Sequence, residues 1–265
     1  VLQVGSQQRS DIAFRFACQL VRNGRIGKIH TVHVNVGGPP QPDFLPAEET
    51  PEGLDWDFWL GPCAWRPYSS TLAPSESWSG WPRWRYYRPY AGGGMTDFGA
   101  HHYDIAQWGL GMDDTGPVAV DYPAEEPDPH IVYRYANGIV MHHGGGRAGA
   151  AVEFIGEDGV VAVNRGQWLE TEPAHLRHET FAPGAVRLYN SANHKNNWLE
   201  AIRTRKEPIC PVETGHRTAT VCHIGNIAYW LKRSLRWDPE TERFVNDPEA
   251  NRLLERPMRE PWRLS

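Results

Sequence analysis

The 265 residues predict an α+β fold: a large, mostly antiparallel open β-sheet with flanking helices. Three observations carry that prediction. Between residues 118 and 163 apolar residues recur with a period of two, the spacing that puts alternate side chains on opposite faces of a strand. On both sides of that stretch the period is helical. Inside it, Ala136-Asn137-Gly138 is a strong signal for a tight hairpin.

Taken in order, Val1-Leu2-Gln3-Val4-Gly5 reads as an apolar strand ending in a glycine turn, and a chain that opens in mid-strand without an initiator Met is expected to be a fragment. Ser10 is placed as N-cap of a helix running to about Asn23, with Ile12, Ala13, Phe16, Ala17, Leu20 and Val21 at helical spacing and Gly24 at the stop. Residues 28–37 alternate as a strand. Residues 38–90, rich in Pro, Trp and Ser, read as a long excursion of loops and short helices. Gly92-Gly93-Gly94 then turns into a helix from about Met95 to Trp108. Strands follow at 118–122, 131–135, 139–143, 152–155 and 160–163, an antiparallel meander. Helices return at 196–204 and 213–235, and a proline-marked tail is expected to wrap the surface.

Composition excludes several classes. A formal net charge of -5 offers no basic footprint for nucleic acid, and no apolar run is long enough to cross a membrane. Twelve Trp are many for this length; their flat faces suit a carbohydrate surface, but most are expected in the core. Cys18, Cys63, Cys210 and Cys222 are scattered, which reads as buried free thiols and predicts neither a disulfide framework nor a metal site.

The chemistry-bearing stretch is Gly92-Gly93-Gly94-Met95-Thr96-Asp97-Phe98-Gly99-Ala100-His101-His102-Tyr103-Asp104. On one helix, Asp97 and His101 share a face, and Asp104 and Trp108 continue it. A carboxylate one turn before an imidazole can orient the ring and favour its charged form, which makes the histidine a competent general base. A buried Asp–His brace fits the pattern equally well.

The run from Gly92 to Asp113 resembles the Asp-x-x-x-His segment of Gfo/Idh/MocA dehydrogenases. Other stretches carry the same resemblance in the same order: Gln7-Gln8-Arg9, Leu54-Asp55-Trp56-Asp57-Phe58-Trp59-Leu60-Gly61-Pro62, Cys222-His223-Ile224-Gly225-Asn226-Ile227-Ala228 and Trp237-Asp238-Pro239. The resemblance implies His101 as acid/base on a sugar hydroxyl, with Asp97 orienting it. It also implies Asp104 as a substrate contact. His102 and Trp59 are carried as further substrate-binding candidates. Residues 1–27 are expected to be the last strand and helix of a nucleotide-binding Rossmann domain. Residues 28–265 are expected to be the substrate-binding and oligomerisation domain, forming a homodimer or homotetramer through its sheet.

Two family features are not in their expected places. The family binds NAD or NADP through a GxGxxG turn and carries a Glu-Lys-Pro segment in the Rossmann domain. Gly144-Gly145-Gly146-Arg147-Ala148-Gly149 fits the glycine pattern letter for letter, but a strand pattern rather than a helix follows it. It is therefore read as a strand connection, and Lys206-Glu207-Pro208 as a scrambled look-alike. NAD or NADP is expected to be held mainly by a domain outside this chain, and the chain alone is expected to be inactive and to show no micromolar nicotinamide binding by calorimetry.

Among other residues, His142 and His143 should point to opposite faces of a strand. His194, Lys195 and Asn196 are expected near a helix cap, and His216 and His223 on a helix face. Trp56, Trp59, Trp65 and Tyr68 are expected chiefly as a hydrophobic lid. The leading functional expectation is a sugar or polyol dehydrogenase of carbohydrate metabolism. The alternatives are an NAD-dependent glycoside hydrolase of the same superfamily and a non-catalytic sugar-binding or assembly domain. The compartment is left open: cytoplasmic, or exported if a twin-arginine signal precedes the chain.

Overall fold

The computed structural model describes residues 1–74, 82–127 and 130–263, so residues 75–81 of the expected excursion lie outside the described residues. At the N-terminus no strand forms. The Val4 amide donates to the Cys210 carbonyl (2.9 Å) and the Val4 carbonyl accepts from His194 Nε2 (2.9 Å), so the segment is tied to a loop and a helix instead of a sheet neighbour. A 3-10 turn at Gln7–Ser10 leads into helix α1 (Ile12–Arg22). Asp11, not Ser10, caps it, accepting from the Ala13 amide at 2.8 Å, while the Ser10 hydroxyl donates to Ser191. A carboxylate suits that position because it meets both the free amides and the positive end of the helix.

The elements that follow are β1 (Ile29–Val34), α2 (Trp56–Leu60), α3 (Gly94–Asp97), α4 (Gly99–Leu110), β2 (Ala119–Asp121), β3 (Val132–Arg134), β4 (Val140–His143), β5 (Val152–Gly156), β6 (Gly159–Asn164), β7 (Trp168–Glu172), α5 (His194–Thr204), α6 (Val212–Leu231), β8 (Leu235–Asp238), β9 (Arg243–Phe244) and α7 (Pro248–Arg252). The single helix expected over 95–108 is two helices meeting at Phe98. The helix expected to reach Leu235 stops at Leu231, where Lys232 takes a left-handed conformation, and Leu235 begins a strand. Asn193 caps α5, so His194 is its first residue.

The strands form one open sheet in the order β7-β6-β5-β1-β4-β3-β2-β8-β9. This corrects the expected meander. β1 lies between β4 and β5, parallel to β4 (Thr31 beside Val140, Val34 beside His143) and antiparallel to β5 (Val34 beside Val152). A period of two reveals which face a residue occupies but not which strand is its neighbour, so the intruding strand left no trace in the pattern. Helices α1, α4 and α6 pack on one face of this sheet. There Val32, Val34, Tyr133, Met141, Val152, Phe154, Val161 and Val163 are buried against residues such as Phe14, Ile105 and Ile224. The other face carries half-buried His33, His142, Val132 and Val140. His142 and His143 do point to opposite faces: His142 stacks on His33, while His143 hydrogen-bonds Tyr229 on α6. Cys18, Cys210 and Cys222 are buried and free, and Cys63 is half-buried and free.

Candidate active site

The site is built where the chain leaving β1 crosses the start of α3. A Cβ on Gly94 would lie 2.4 Å from the Gly37 Cα, so only glycine permits this backbone contact. The Met95 amide donates to Gly38 across the crossing (3.2 Å). At Phe98 the helix tightens: the amides of His101 and His102 both reach the Phe98 carbonyl at 3.0 Å. That local 3-10 step separates α3 from α4 and alters the expected one-turn relation of Asp97 to His101.

The spacing argument placed Asp97 on His101, and the structure places it elsewhere. Asp97 Oδ1 accepts from Arg85 Nη1 at 2.8 Å, with both side chains one-quarter exposed. No hydrogen bond joins Asp97 to His101; its influence there is electrostatic.

The direct partner of His101 is Gln8, from the 3-10 turn before α1. Arg165, in the turn between β6 and β7, can only donate, so the Gln8 oxygen must face it. In that orientation Gln8 Oε1 accepts from Arg165 Nη2 and Nε (3.1 and 3.2 Å), and Gln8 Nε2 donates to His101 Nδ1 at 2.8 Å. Among the described residues no hydrogen bond engages His101 Nε2. Burial, and then the Arg165 charge, hold the His101 imidazole below its ordinary pKa, while Asp104 and Asp97 pull it the other way.

His102 is buried and fully used. Its Nδ1 donates to the Asn35 carbonyl at 2.6 Å, and its Nε2 accepts from Arg165 Nη1. Burial lowers it to about 4, so it is neutral at physiological pH. Neither nitrogen is left for a substrate, which argues against the substrate-binding role expected of it. Its ring instead walls a groove of about 430 Å³, together with Asn35, Asn164 and the backbone of residues 145–151.

Asp104 also departs from expectation. It is wholly buried and accepts two hydrogen bonds from Arg9, to Nε and Nη2 at 2.8 Å each, and one from the Thr218 hydroxyl at 3.2 Å. Arg9 stacks over Trp108 and also reaches Asp113. Burial pushes the Asp104 carboxyl upward while Arg9 pulls it down; with a guanidinium held bidentately against it, the pair is ionic at neutral pH. Asp104 is a brace between α4 and the Gln7–Ser10 turn and is not open to a substrate.

Trp59 stacks on Trp56 (ring centroids 4.6 Å apart) and lies 5.6 Å from Tyr90 in a satellite cluster with Leu60, Tyr68 and Leu72. Among the described residues no ring contact or hydrogen bond joins this stack to His101. The Gly144–Gly149 run connects β4 to β5, with positive φ at Gly144, Gly145, Gly146 and Gly149. No helix follows it, so it does not form a pyrophosphate cradle.

A family model described as the C-terminal alpha/beta domain of an oxidoreductase family matches residues 41–264, most of the chain. The chain belongs to the Gfo/Idh/MocA oxidoreductase family. Solved structures agree on the fold of this family domain. Aldose-aldose oxidoreductase from Caulobacter crescentus, complexed with glycerol, matches with a TM-score of 0.54 at 18% identity, covering 89% of this chain and 63% of its own. Levoglucosan dehydrogenase, in complex with NADH and L-sorbose, matches at 0.54 and 14% identity, covering 91% and 68%. An oxidoreductase from Bacillus subtilis matches at 0.50 and 14%, covering 90% and 66%. Curated proteins gave no match. This chain spans 63% of the length of the Caulobacter protein.

In this family member the residues that converge on His101 and His102 are Gln8 and Arg165, and neither was assigned a role from sequence. Gln8 lies in the Gln7-Gln8-Arg9 stretch that carries part of the family resemblance. Arg165 sits in an Asn-Arg-Gly turn with no periodic signal at all, and only the folded sheet brings it to the helix.

Proposed function

We propose that this chain is the substrate-binding part of an NAD(P)-dependent sugar or polyol dehydrogenase in which His101 exchanges a proton with the substrate oxygen. The supporting observation is the state of His101: half-buried, held at Nδ1 by Gln8, shifted below its ordinary pKa, and with Nε2 engaged by no hydrogen bond among the described residues. A nicotinamide, when bound, supplies the hydride chemistry. The described residues of this chain offer no glycine-turn cradle for it, and residues 1–27 are read as the edge of the domain that would. Ligands named for related folds, glycerol and L-sorbose, fit the same small polyhydroxylated class.

The test uses the full-length protein with NAD or NADP and a panel of sugars and polyols. Cofactor reduction that His101→Ala suppresses through kcat, with KM little changed, supports the reading; no turnover of any sugar or polyol with either cofactor would count against it. Self-association through the open sheet face, as a dimer or tetramer, belongs to the same proposal. That face holds half-buried Val132, Val140, Ile155 and Val160, and light scattering showing a monomer at high concentration would remove this part.

A further inference from the structure

His101 and His102 are adjacent, yet their hydrogen bonds are opposite in sense. Gln8 donates to Nδ1 of His101, whereas Nδ1 of His102 donates to the Asn35 carbonyl. Both arrangements lead back to one guanidinium. Arg165 donates through Nε and Nη2 to the Gln8 oxygen and through Nη1 to His102 Nε2, while lying 4.9 Å over the Phe98 ring. Because a guanidinium has no acceptor, it forces the Gln8 amide to turn its nitrogen toward His101. We propose that Arg165 is a positioning residue that sets both tautomers, placing the proton on Nε2 of His101 and on Nδ1 of His102.

This deepens the proposed function and rests on it for its consequence. With Nδ1 occupied as acceptor, neutral His101 presents an N–H at Nε2. It can hydrogen-bond and polarise a substrate oxygen, as a neutral imidazole electrophile does. It cannot take a hydroxyl proton at Nε2 until the proton moves to Nδ1, and that requires the Gln8 amide to turn end for end and give up its two Arg165 bonds. The structure is therefore the donor state of the site, and Arg165 holds it there. The turn that carries Arg165 is itself fixed: the Asn164 side chain accepts from the Arg165 amide (2.7 Å), and Gly166 and Gln167 follow with positive φ. The charged and titratable groups facing His101 are Asp97 from α3, Asp104 and His102 from α4, and Arg165 from the β6–β7 turn.

Long-range ¹H–¹⁵N spectra of the imidazoles, recorded on this ¹⁵N-labelled chain across pH, read tautomer and titration directly and need no turnover. Wild type should show Nε2–H on His101 and Nδ1–H on His102. Arg165→Met should leave both rings as tautomer mixtures and raise the His101 pKa, since a nearby like charge is removed. Gln8→Glu, of the same shape, should move the His101 proton to Nδ1 and raise its pKa further, because a carboxylate accepts from both neighbours. If Arg165→Met does not fold, Gln8→Glu carries the test alone. A wild-type His101 proton on Nδ1, or unchanged tautomers in the variants, overturns the proposal. Failure of the dehydrogenase reading would appear in turnover and leave these spectra untouched.

Discussion

Asp97 and Asp104 lie two helical turns apart on the α3–α4 segment, and their surroundings differ at every level. Asp97 is one-quarter exposed and holds a single Arg85 nitrogen. Asp104 has no exposed surface and is filled by a bidentate Arg9 and a threonine hydroxyl. The rim of the segment therefore keeps groups with spare capacity, including His101 Nε2, while deeper in α4 the Asp104 carboxylate is used up in holding the helix to the Gln7–Ser10 turn and to Thr218 on α6. Identical side chains at helical spacing acquire different work from depth alone, because an unmet bond costs far more in the interior than at the rim.

The sharpest way to break this comparison is to remove one member from each half. In full-length enzyme, His101→Ala should lower kcat by about 10²–10⁴-fold, the usual contribution of a positioned acid/base, with KM and melting temperature nearly unchanged. Asp104→Ala should do the reverse. It leaves the buried Arg9 charge with Asp113 as its remaining carboxylate and an empty site beside it, so unfolding in denaturant should show a loss of about 3 kcal/mol, the lower end for breaking a buried pair. A stable Asp104→Ala protein with impaired sugar binding would return Asp104 to the substrate.

A smaller effect is expected from pH. His102 and His143 are buried, and burial lowers each to about 4 from an ordinary 6.5. The unfolded chain therefore takes up protons first as pH falls, so their stabilisation is complete above 6.5 and is lost between 6.5 and 4. Thermal melts should fall across that window, by on the order of 1–3 kcal/mol for each ring at most. His102→Ala should flatten part of the slope, at the cost of the bonds that Arg165 Nη1 and the Asn35 carbonyl make to that ring. A flat profile from 7 to 4 would show that neither ring is buried in the neutral form.

The sheet, its faces and the helix carrying His101 were legible because periodicity reports burial, and burial is what the strands from 118 to 163 and α1 share. Neighbour order was not: β1 entered the sheet between β4 and β5 although nothing in its own residues names those partners. Of the candidate site, sequence brought together only the adjacent pair His101 and His102 on α4; Asp97, one turn away by spacing, pairs with Arg85 instead. The site was illegible where it depends on Gln8 and Arg165, whose approach to α4 is made by α1 packing and by the β6–β7 turn. Asp104 was misplaced for a related reason: spacing puts it on the right stripe of the helix, but depth along that stripe is set by Arg9, far away in the chain.

The smallest expected effect belongs to Asp97→Asn, and it decides what the rim carboxylate is for. Asparagine keeps an oxygen for Arg85 but removes the charge. The Arg85 pair is partly exposed, so its loss should cost no more than about 1 kcal/mol of stability. If Asp97 held His101 directly, the substitution would disturb ring orientation and cut kcat nearly as far as His101→Ala. The structure instead gives Asp97 only a distant electrostatic pull on an imidazole whose orientation is fixed by Gln8. The expected outcome is therefore a kcat loss of about tenfold or less, with the His101 titration moved downward because a negative neighbour is gone. Measuring kcat against pH for both variants separates the cases. A kcat loss of His101→Ala size would mean that Asp97 leaves Arg85 and closes on His101 during turnover.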